Sequence, residues 1–518
     1  MEKSDNLKAK WTVLLIVSLS AFIITIDSTF MNVAITNLVV DLNTTISAIQ
    51  LIIATYALTM ASLMLLGGKL QDIIGRKQTF IIGAIIYGIG TTIAALSINA
   101  AMLLFGWSIL EGIGAALMTP ATASIITGSY TGKDRAFALG IWTALAGIAA
   151  AVGPLLGGFL TTFFSWRYGF ALELIIVFVM LVLSGKIKYF PKTTKISQLD
   201  KLGVLLSILG FSIFILGILS LNFSKNYMIS SFIILIGIII LILFYLSQNR
   251  RIKDKKEPLT DIRLFKDRNF AMGNISRLIM QFALAGSVFI LPVFLQTVTD
   301  ADAFSTGLVL LPLTFGLLIF SIASSRLTSR FQPRHIISSG FLVALFGSLL
   351  LSYVLNLNTQ MWQLIPGTFL LGVGIGLSLP LSADVILSSA NDEKQSDASG
   401  IMSTFANLGS SMGTALIGVI LIIGIFNGLA VAVDQTYPGE FSKQEIKQNL
   451  AIWVEKMETT SIAGLKEDKA SKAFEVVNLT ISNAMKTTFQ FVSIIFLIGF
   501  IISLFIRPFK IIESKEIL

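Results

Sequence analysis

Cysteine is absent from the 518 residues, and histidine occurs once, as His335. Disulfides, thiolate metal sites and a cysteine nucleophile are excluded. A histidine-rich metal site falls with them, and a Ser-His-Asp triad could draw on one histidine only. Charge is scarce too. Asp, Glu, Lys and Arg make up 13% of the chain, about half the share found in soluble domains. Apolar residues fill their place: 54% are hydrophobic, and mean hydropathy is +0.83. So little polar surface cannot cover a set of water-soluble domains. The composition predicts a polytopic, all-helical membrane protein.

A helix needs about 20 mostly apolar residues to cross the hydrocarbon. Fourteen stretches qualify: 11–33, 46–67, 79–97, 102–125, 137–161, 168–184, 202–221, 229–247, 269–296, 305–325, 336–356, 362–387, 400–426 and 487–506. The first follows Lys3, Lys8 and Lys10. It is too long for the core of a signal peptide and lacks a small-x-small cleavage site, so it is expected to stay as a spanner. With the N-terminus inside, the Lys and Arg of the short connections fall on the cytoplasmic side, Arg167 and Lys225 excepted. The positive-inside rule then places both termini in the cytoplasm. The net charge of +9 belongs to these loops and needs no nucleic-acid partner.

Two basic connections, 185–201 and 248–268, flank spanners seven and eight. The second carries Arg250, Arg251, Lys253, Lys255 and Lys256. They divide the chain into an N-terminal six-helix bundle (1–184), an inserted transmembrane hairpin with its linkers (185–268) and a C-terminal six-helix bundle (269–518). The last contains one long outside loop, 427–486. There Ser442-x-x-Glu445 reads as a capping box. Phe441, Ile446, Leu450, Trp453 and Met457 at near-helical spacing predict an amphipathic helix on the outer rim.

The halves repeat. Gly112-x-Gly114-x-x-Leu117-x-x-Pro120 matches Gly372-x-Gly374-x-x-Leu377-x-x-Pro380, an offset of 260. At the same offset, Gly140-x8-Ala149-x3-Gly153 matches Gly400-x8-Gly409-x3-Gly413. Duplicated halves in parallel are a construction used by secondary transporters, with cargo bound between them.

Three motifs carry a family resemblance. The loop Gly68-Lys69-Leu70-Gln71-Asp72-Ile73-Ile74-Gly75-Arg76-Lys77 resembles the signature loop of the major facilitator superfamily. Spanner five reads Gly153-Pro154-x-x-Gly157-Gly158, which resembles that superfamily's antiporter motif. Asp27-Ser28-Thr29-x-x-Asn32-Val33-Ala34 is similar to a stretch of the fourteen-spanner drug:proton antiporters, the EmrB/QacA-type branch. The resemblance covers nearly the whole chain. It implies the major facilitator fold, two six-helix bundles plus the hairpin. It also implies alternating access driven by the proton gradient without a cofactor, and a latch at Gly68, Asp72, Gly75, Arg76 and Lys77. The chain departs from the branch on spanner four, where the usual arginine and glutamine stand as Ser108 and Glu111. The usual Asn-Val-Pro of spanner six reads Glu173-Leu174-Ile175.

Five ionisable residues fall inside spans: Asp27, Glu111, Glu173, Arg277 and Asp384. Charge in the bilayer centre costs roughly 2.5–3.5 kcal/mol on insertion scales, which makes each a functional candidate. Asp27, Glu111 and Glu173 belong to the N-terminal half. A carboxyl there can take up and release a proton, and its ionised form attracts a cation. Arg277 and Asp384 are candidates for a cytoplasmic gate pair. Phe30, Tyr56, Trp107, Trp142, Phe282 and Phe289 are candidates to line an apolar pocket.

Gly409-Ser410-Ser411-Met412-Gly413 fits a nucleophile-elbow pattern but lies within a spanner. No phosphate-binding G-x-x-x-x-G-K-[ST] occurs. No enzymatic activity is expected. The expected activity is proton-coupled efflux of lipophilic, cationic compounds by a monomer in a bacterial plasma membrane, with cargo, protons and lipids as its partners. A lipid, fatty acid, siderophore or self-made antibiotic as cargo, and a non-transporting membrane sensor, are the rival readings.

Overall fold

A computed structural model describes residues 2–436 and 467–508, apart from 131, 191, 193–194, 224–226, 300, 329, 357–358 and 391–393. The amphipathic helix expected over 441–457 lies outside the described residues. Within them the chain is helical with no strand. Lipid offers no hydrogen bonds to a backbone, so a spanning segment must satisfy its own N–H and C=O groups.

Among the described residues, fourteen long helices succeed one another. The first six are α1 (Glu2–Phe30), α2 (Ile46–Ile74), α3 (Arg76–Ala95), α4 (Ala100–Leu103, then a π-helical stretch Leu104–Glu111, then Gly112–Ser129), α5 (Gly132–Phe163) and α6 (Arg167–Leu183). The hairpin is α7 (Lys201–Phe223) and α8 (Tyr227–Lys253). The last six are α9 (Arg268–Val298), α10 (Ala303–Leu327), α11 (Pro333–Val354), α12 (Met361–Ser388), α13 (Gln395–Thr436) and α14 (Glu467–Ser503). Thirteen segments among the described residues are long and apolar enough to cross a membrane. α5, with an apolar described stretch Val152–Phe163 in a 32-residue helix, is the fourteenth long helix. The protein is an integral multi-pass membrane protein.

Several helix starts are written in short polar residues. Thr45, Asn99, Asp267 and Asp302 each accept a hydrogen bond from the backbone three residues on, at 2.8–3.1 Å. Each satisfies one of the amides that a helix N-terminus leaves free. Pro333 opens α11, where its missing N–H costs nothing.

α1–α6 pack together, as do α9–α14, and the two halves meet along α2–α13 and α5–α10. Gln50 donates from α2 to the carbonyl of Thr414 at 2.8 Å, and Ser411 donates from α13 to that of Ala54 at 2.8 Å. At the end of the bundle remote from the Gly68–Lys77 loop, Gln296 donates to the Val33 carbonyl at 2.7 Å. There the Phe304 amide donates to Thr162 at 3.1 Å.

The hairpin is not detached from this arrangement. α7 packs into the seam between α2 and α13, through Phe211, Ile215, Ile218 and Leu219. α8 touches α7 and is otherwise mostly uncovered. Its return linker is bound to both halves at the loop end. Lys69 of α2 pairs with Glu257 at 3.4 Å, Lys394 pairs with Asp261 at 2.8 Å, and the Asp261 amide donates to Asp397 of α13 at 3.2 Å. Gln248 ties Asp200 to the Leu259 amide at 2.7 and 2.8 Å.

Two measurements test this packing. Gly372 of α12 lies so close to α10 that a Cβ there would meet the Leu313 carbonyl oxygen at 1.9 Å, whereas nothing lies within 4 Å of one at Gly68. Gly372→Val should lower stability by about 1–3 kcal/mol, the usual cost of overpacking, and reduce the melting temperature in detergent. Gly68→Ala should melt like the parent.

Burial works against the charge of Asp261, but hydrogen bonds from Arg263 and Lys394 outweigh it. They hold its carboxyl well below the usual aspartate range. A carboxyl with a depressed folded-state pKa contributes stability above its ordinary value of about 3.9, and loses it as pH falls through the lower one. Asp261→Asn should therefore melt below the parent at pH 7, and that gap should narrow as pH is taken below about 4.

Candidate functional site

Asp27 of α1, Glu111 of α4 and Glu173 of α6 converge in the interior of the N-terminal bundle. Their exposures are 0, 0 and 1%. One oxygen of each carboxyl lies within 4.8 Å of the other two. Trp107 Nε1 donates to Asp27 Oδ2 at 2.8 Å, and the Tyr87 hydroxyl donates to Glu173 Oε2 at 3.0 Å. The second oxygen of Asp27, both oxygens of Glu111 and the Tyr56 hydroxyl lack a partner in full hydrogen-bond geometry, with Tyr56 close to Asp27 and the hydroxyls of Thr91 and Tyr87 close to Glu111. No Lys or Arg forms an ion pair with any of the three among the described residues.

Local structure explains the convergence. Trp107, Ser108 and Glu111 sit on the π-helical stretch of α4, a helix form frequent at functional sites. Ser108 fixes that stretch to α2 by donating to the Ile52 carbonyl at 2.6 Å. α3 can lie against it because Gly90 has no side chain. A Cβ there would meet Glu111 N at 2.7 Å and Gly106 O at 2.6 Å. Aromatic rings close the chamber. Tyr56 stacks on Trp107 at 5.7 Å, and Phe170 meets Trp107, Phe30 and Trp166 edge-on at 6.1–6.3 Å.

Three carboxyls so placed can bind protons, or a hard cation. A hard cation takes about 6–8 oxygen ligands at full coordination. Here Trp107 and Tyr87 already occupy one oxygen on each of two carboxyls. Either ligand would relieve the repulsion between the like charges.

The signature-loop residues lie at one end of the bundle. Gly75 takes φ +103°, a backbone angle that favours glycine, and lets α2 turn directly into α3. Arg76 donates to the Ser124 carbonyl of α4 at 2.7 Å and covers the Phe190 ring. Lys77 donates to the Ile187 carbonyl at 2.9 Å. Gly68 and Asp72 border a small cleft with Lys69, Leu259, Thr260 and Asp397. The antiporter-motif residues lie elsewhere, in α5. Gly153 and Gly157 let α1 approach at Thr29 and Phe30. Gly158 and the Pro154 carbonyl touch Ala303 and Gly307 of α10.

Arg277 and Asp384 form no ion pair with each other here. Arg277 instead donates to the Leu379 carbonyl of α12 at 3.1 Å, and its Nε has no partner. Asp384 is close to Ser388, one turn along its own helix. Of the candidate pocket aromatics, Phe30, Tyr56 and Trp107 border the acidic chamber, while Phe282 and Phe289 are buried in the C-terminal bundle. Two residues beside Glu111 escaped sequence reasoning, Tyr87 and Thr91. A hydroxyl pair one helical turn apart on an otherwise apolar spanner is the signal that could have found them.

Comparison with known proteins bears on the family and the fold. The profile of the Major Facilitator Superfamily matches residues 17–202 and 200–414. A methylenomycin A resistance protein of Bacillus subtilis (strain 168) is 28% identical over 418 residues, 79% of this chain and 87% of that one. The multidrug transporter protein MdtP of the same organism is 25% identical over 534 residues, 99% of this chain and 96% of that one. The inward-facing, unoccupied crystal structure of a bacterial homologue of the human lysosomal transporter Spinster superposes with a TM-score of 0.63. It shares 16% identity and covers 96% of this chain and 98% of its own. A family profile matched across both halves, with the same fold in a solved transporter, is decisive: this chain belongs to the major facilitator superfamily and is a transport protein, not an enzyme.

Proposed function

We propose that this chain expels lipophilic small molecules, cationic ones among them, across the cell membrane in exchange for protons. Relatives named for resistance and multidrug transport support efflux as the direction. Fourteen long helices, the Asp27–Ala34 stretch and the hairpin favour the EmrB/QacA-type branch. The distribution of Lys and Arg favours cytoplasmic termini. In that orientation the Gln296–Val33 and Phe304–Thr162 contacts close the outer side, and the Gly68–Lys77 loop lies on the cytoplasmic side, where it serves as the latch.

The observation that carries the reading is the enclosed set of Asp27, Glu111 and Glu173, with no Lys or Arg paired to it among the described residues. Three acids on three helices, held by neutral donors, form a place where protons are bound and released as the bundle changes shape. No cofactor has a role in such a cycle.

The test is efflux in everted vesicles, with ethidium as cargo and an imposed proton gradient. Asp27→Asn keeps the shape of the side chain and removes its titration. It should lower gradient-driven ethidium transport by at least about tenfold, the effect of 1.4 kcal/mol on a rate, with insertion and melting temperature unchanged. Glu111→Gln should impair coupling in the same direction. Parental transport by Asp27→Asn would remove the cluster from the mechanism.

A further inference from the structure

The polar residues of α9 share one side of the helix. Asn274, Arg277 and Gln281 are spaced i, i+3, i+7, which stacks them on a single face. From residue 277 to residue 296 the partly exposed positions of α9, 277, 278, 281, 284, 285 and 288, fall on that face; nearer its start 269, 271, 272 and 275 are partly exposed as well. α12 and α13 flank it. Gly273 lies against Val385 and Ile386 of α12, and Gly409 of α13 lies against Leu278. Farther along the same face, Gln296 reaches across to the Val33 carbonyl of the N-terminal half. The stripe therefore looks toward the N-terminal half, into the space between the halves where transporters of this construction hold their cargo.

Each member of the stripe has an unused hydrogen-bonding group. Arg277 Nε, Asn274 Oδ1 and Gln281 Oε1 are all buried without a partner. No carboxylate answers Arg277 among the described residues, and its one bond is to the Leu379 carbonyl. A guanidinium stays charged in a protein, and an unanswered charge inside a membrane protein points to a function. Asp27, Glu111 and Glu173 lie buried in the other bundle, and Asp384 of α12 does not pair with Arg277.

We propose that Asn274, Arg277 and Gln281 form a cargo-binding stripe for lipophilic compounds that carry an anionic head group. A carboxylate or phenolate accepts from the free edge of the guanidinium. A hydroxyl or amide N–H beside it donates to Gln281 Oε1 or Asn274 Oδ1. The inference rests on the export reading and extends its cargo from cations to amphiphilic acids.

Fluorescein and ethidium separate the two. Both are offered to everted vesicles, and fluorescein binding to the purified protein in detergent is followed by anisotropy. The parent should transport both dyes. Arg277→Gln should lose about tenfold or more in fluorescein binding and transport, which corresponds to one lost charge-assisted contact. Ethidium transport should stay within about twofold of the parent. Arg277→Lys, which keeps the charge but not the planar fork, should fall between. Fluorescein binding unchanged in Arg277→Gln would overturn the proposal, as would a parent that moves ethidium but neither binds nor moves fluorescein. Loss of both dyes with fluorescein binding intact would make Arg277 a gate rather than a cargo contact, and also overturn it. Transport of neither dye by the parent would instead bring down the export reading itself.

Discussion

A backbone amide or carbonyl without a partner costs several kcal/mol in hydrocarbon, and the architecture follows from that penalty. It forces the spans to be helices. It leaves packing between helices to van der Waals contact, because lipid is as apolar as leucine and provides no hydrophobic drive for association. Close backbone approach becomes the main source of cohesion. At Gly158 and Gly372 a single added carbon would strike a carbonyl oxygen of the neighbouring helix. Side-chain hydroxyls and amides add the rest by reaching backbone carbonyls of partner helices, as Ser108, Gln50 and Ser411 do.

The same penalty gives meaning to polar groups that remain unsatisfied. A hydroxyl that bonds to the preceding turn of its own helix, as Thr91 does to the Tyr87 carbonyl at 2.9 Å, is at rest. The oxygens of Glu111 and the Nε of Arg277 are not. They lie in different halves, and their signs are opposite. On the proposed exchange of proton for cargo, that division means that neither ligand has to displace the other from the same atoms.

How much of this could be read from residues alone differs by element. The spans were legible because a membrane imposes a length and a composition that survive errors of several residues. The loop Gly68–Lys77 was legible because Gly75 marks a turn that the structure uses at φ +103°. The convergence of Asp27, Glu111 and Glu173 was not. It depends on the π-helical stretch Leu104–Glu111, which shifts the register of α4, and no periodicity announces that shift. The separation of Arg277 from Asp384 was hidden for a similar reason. Depth along a helix can be counted, but rotation about its axis is set by the glycines of its neighbours. The hairpin was legible as a hairpin. Its place in the α2–α13 seam was not, because a helix that is apolar all round gives no sign of which face it buries.

On the proposed exchange mechanism, contact geometry links a proton at Asp27 to the contacts between the halves. Asp27 is half a turn from Thr29 and less than one turn from Phe30. Those two residues receive Gly153 and Gly157 of α5. The next residue of α5, Gly158, bears on Ala303 of α10, across the boundary between the halves. Trp107 holds Asp27 through its indole N–H and is stacked on Tyr56 of α2, the helix that forms the other inter-half contact. Asp27 therefore lies at the shared root of both contacts, α1–α5–α10 on one side and Trp107–α2–α13 on the other. Coupling through packed helices of this kind requires two discrete arrangements rather than a gradual deformation. At Gly157 and Gly158 the two backbones touch directly, with no side chain of α5 between them.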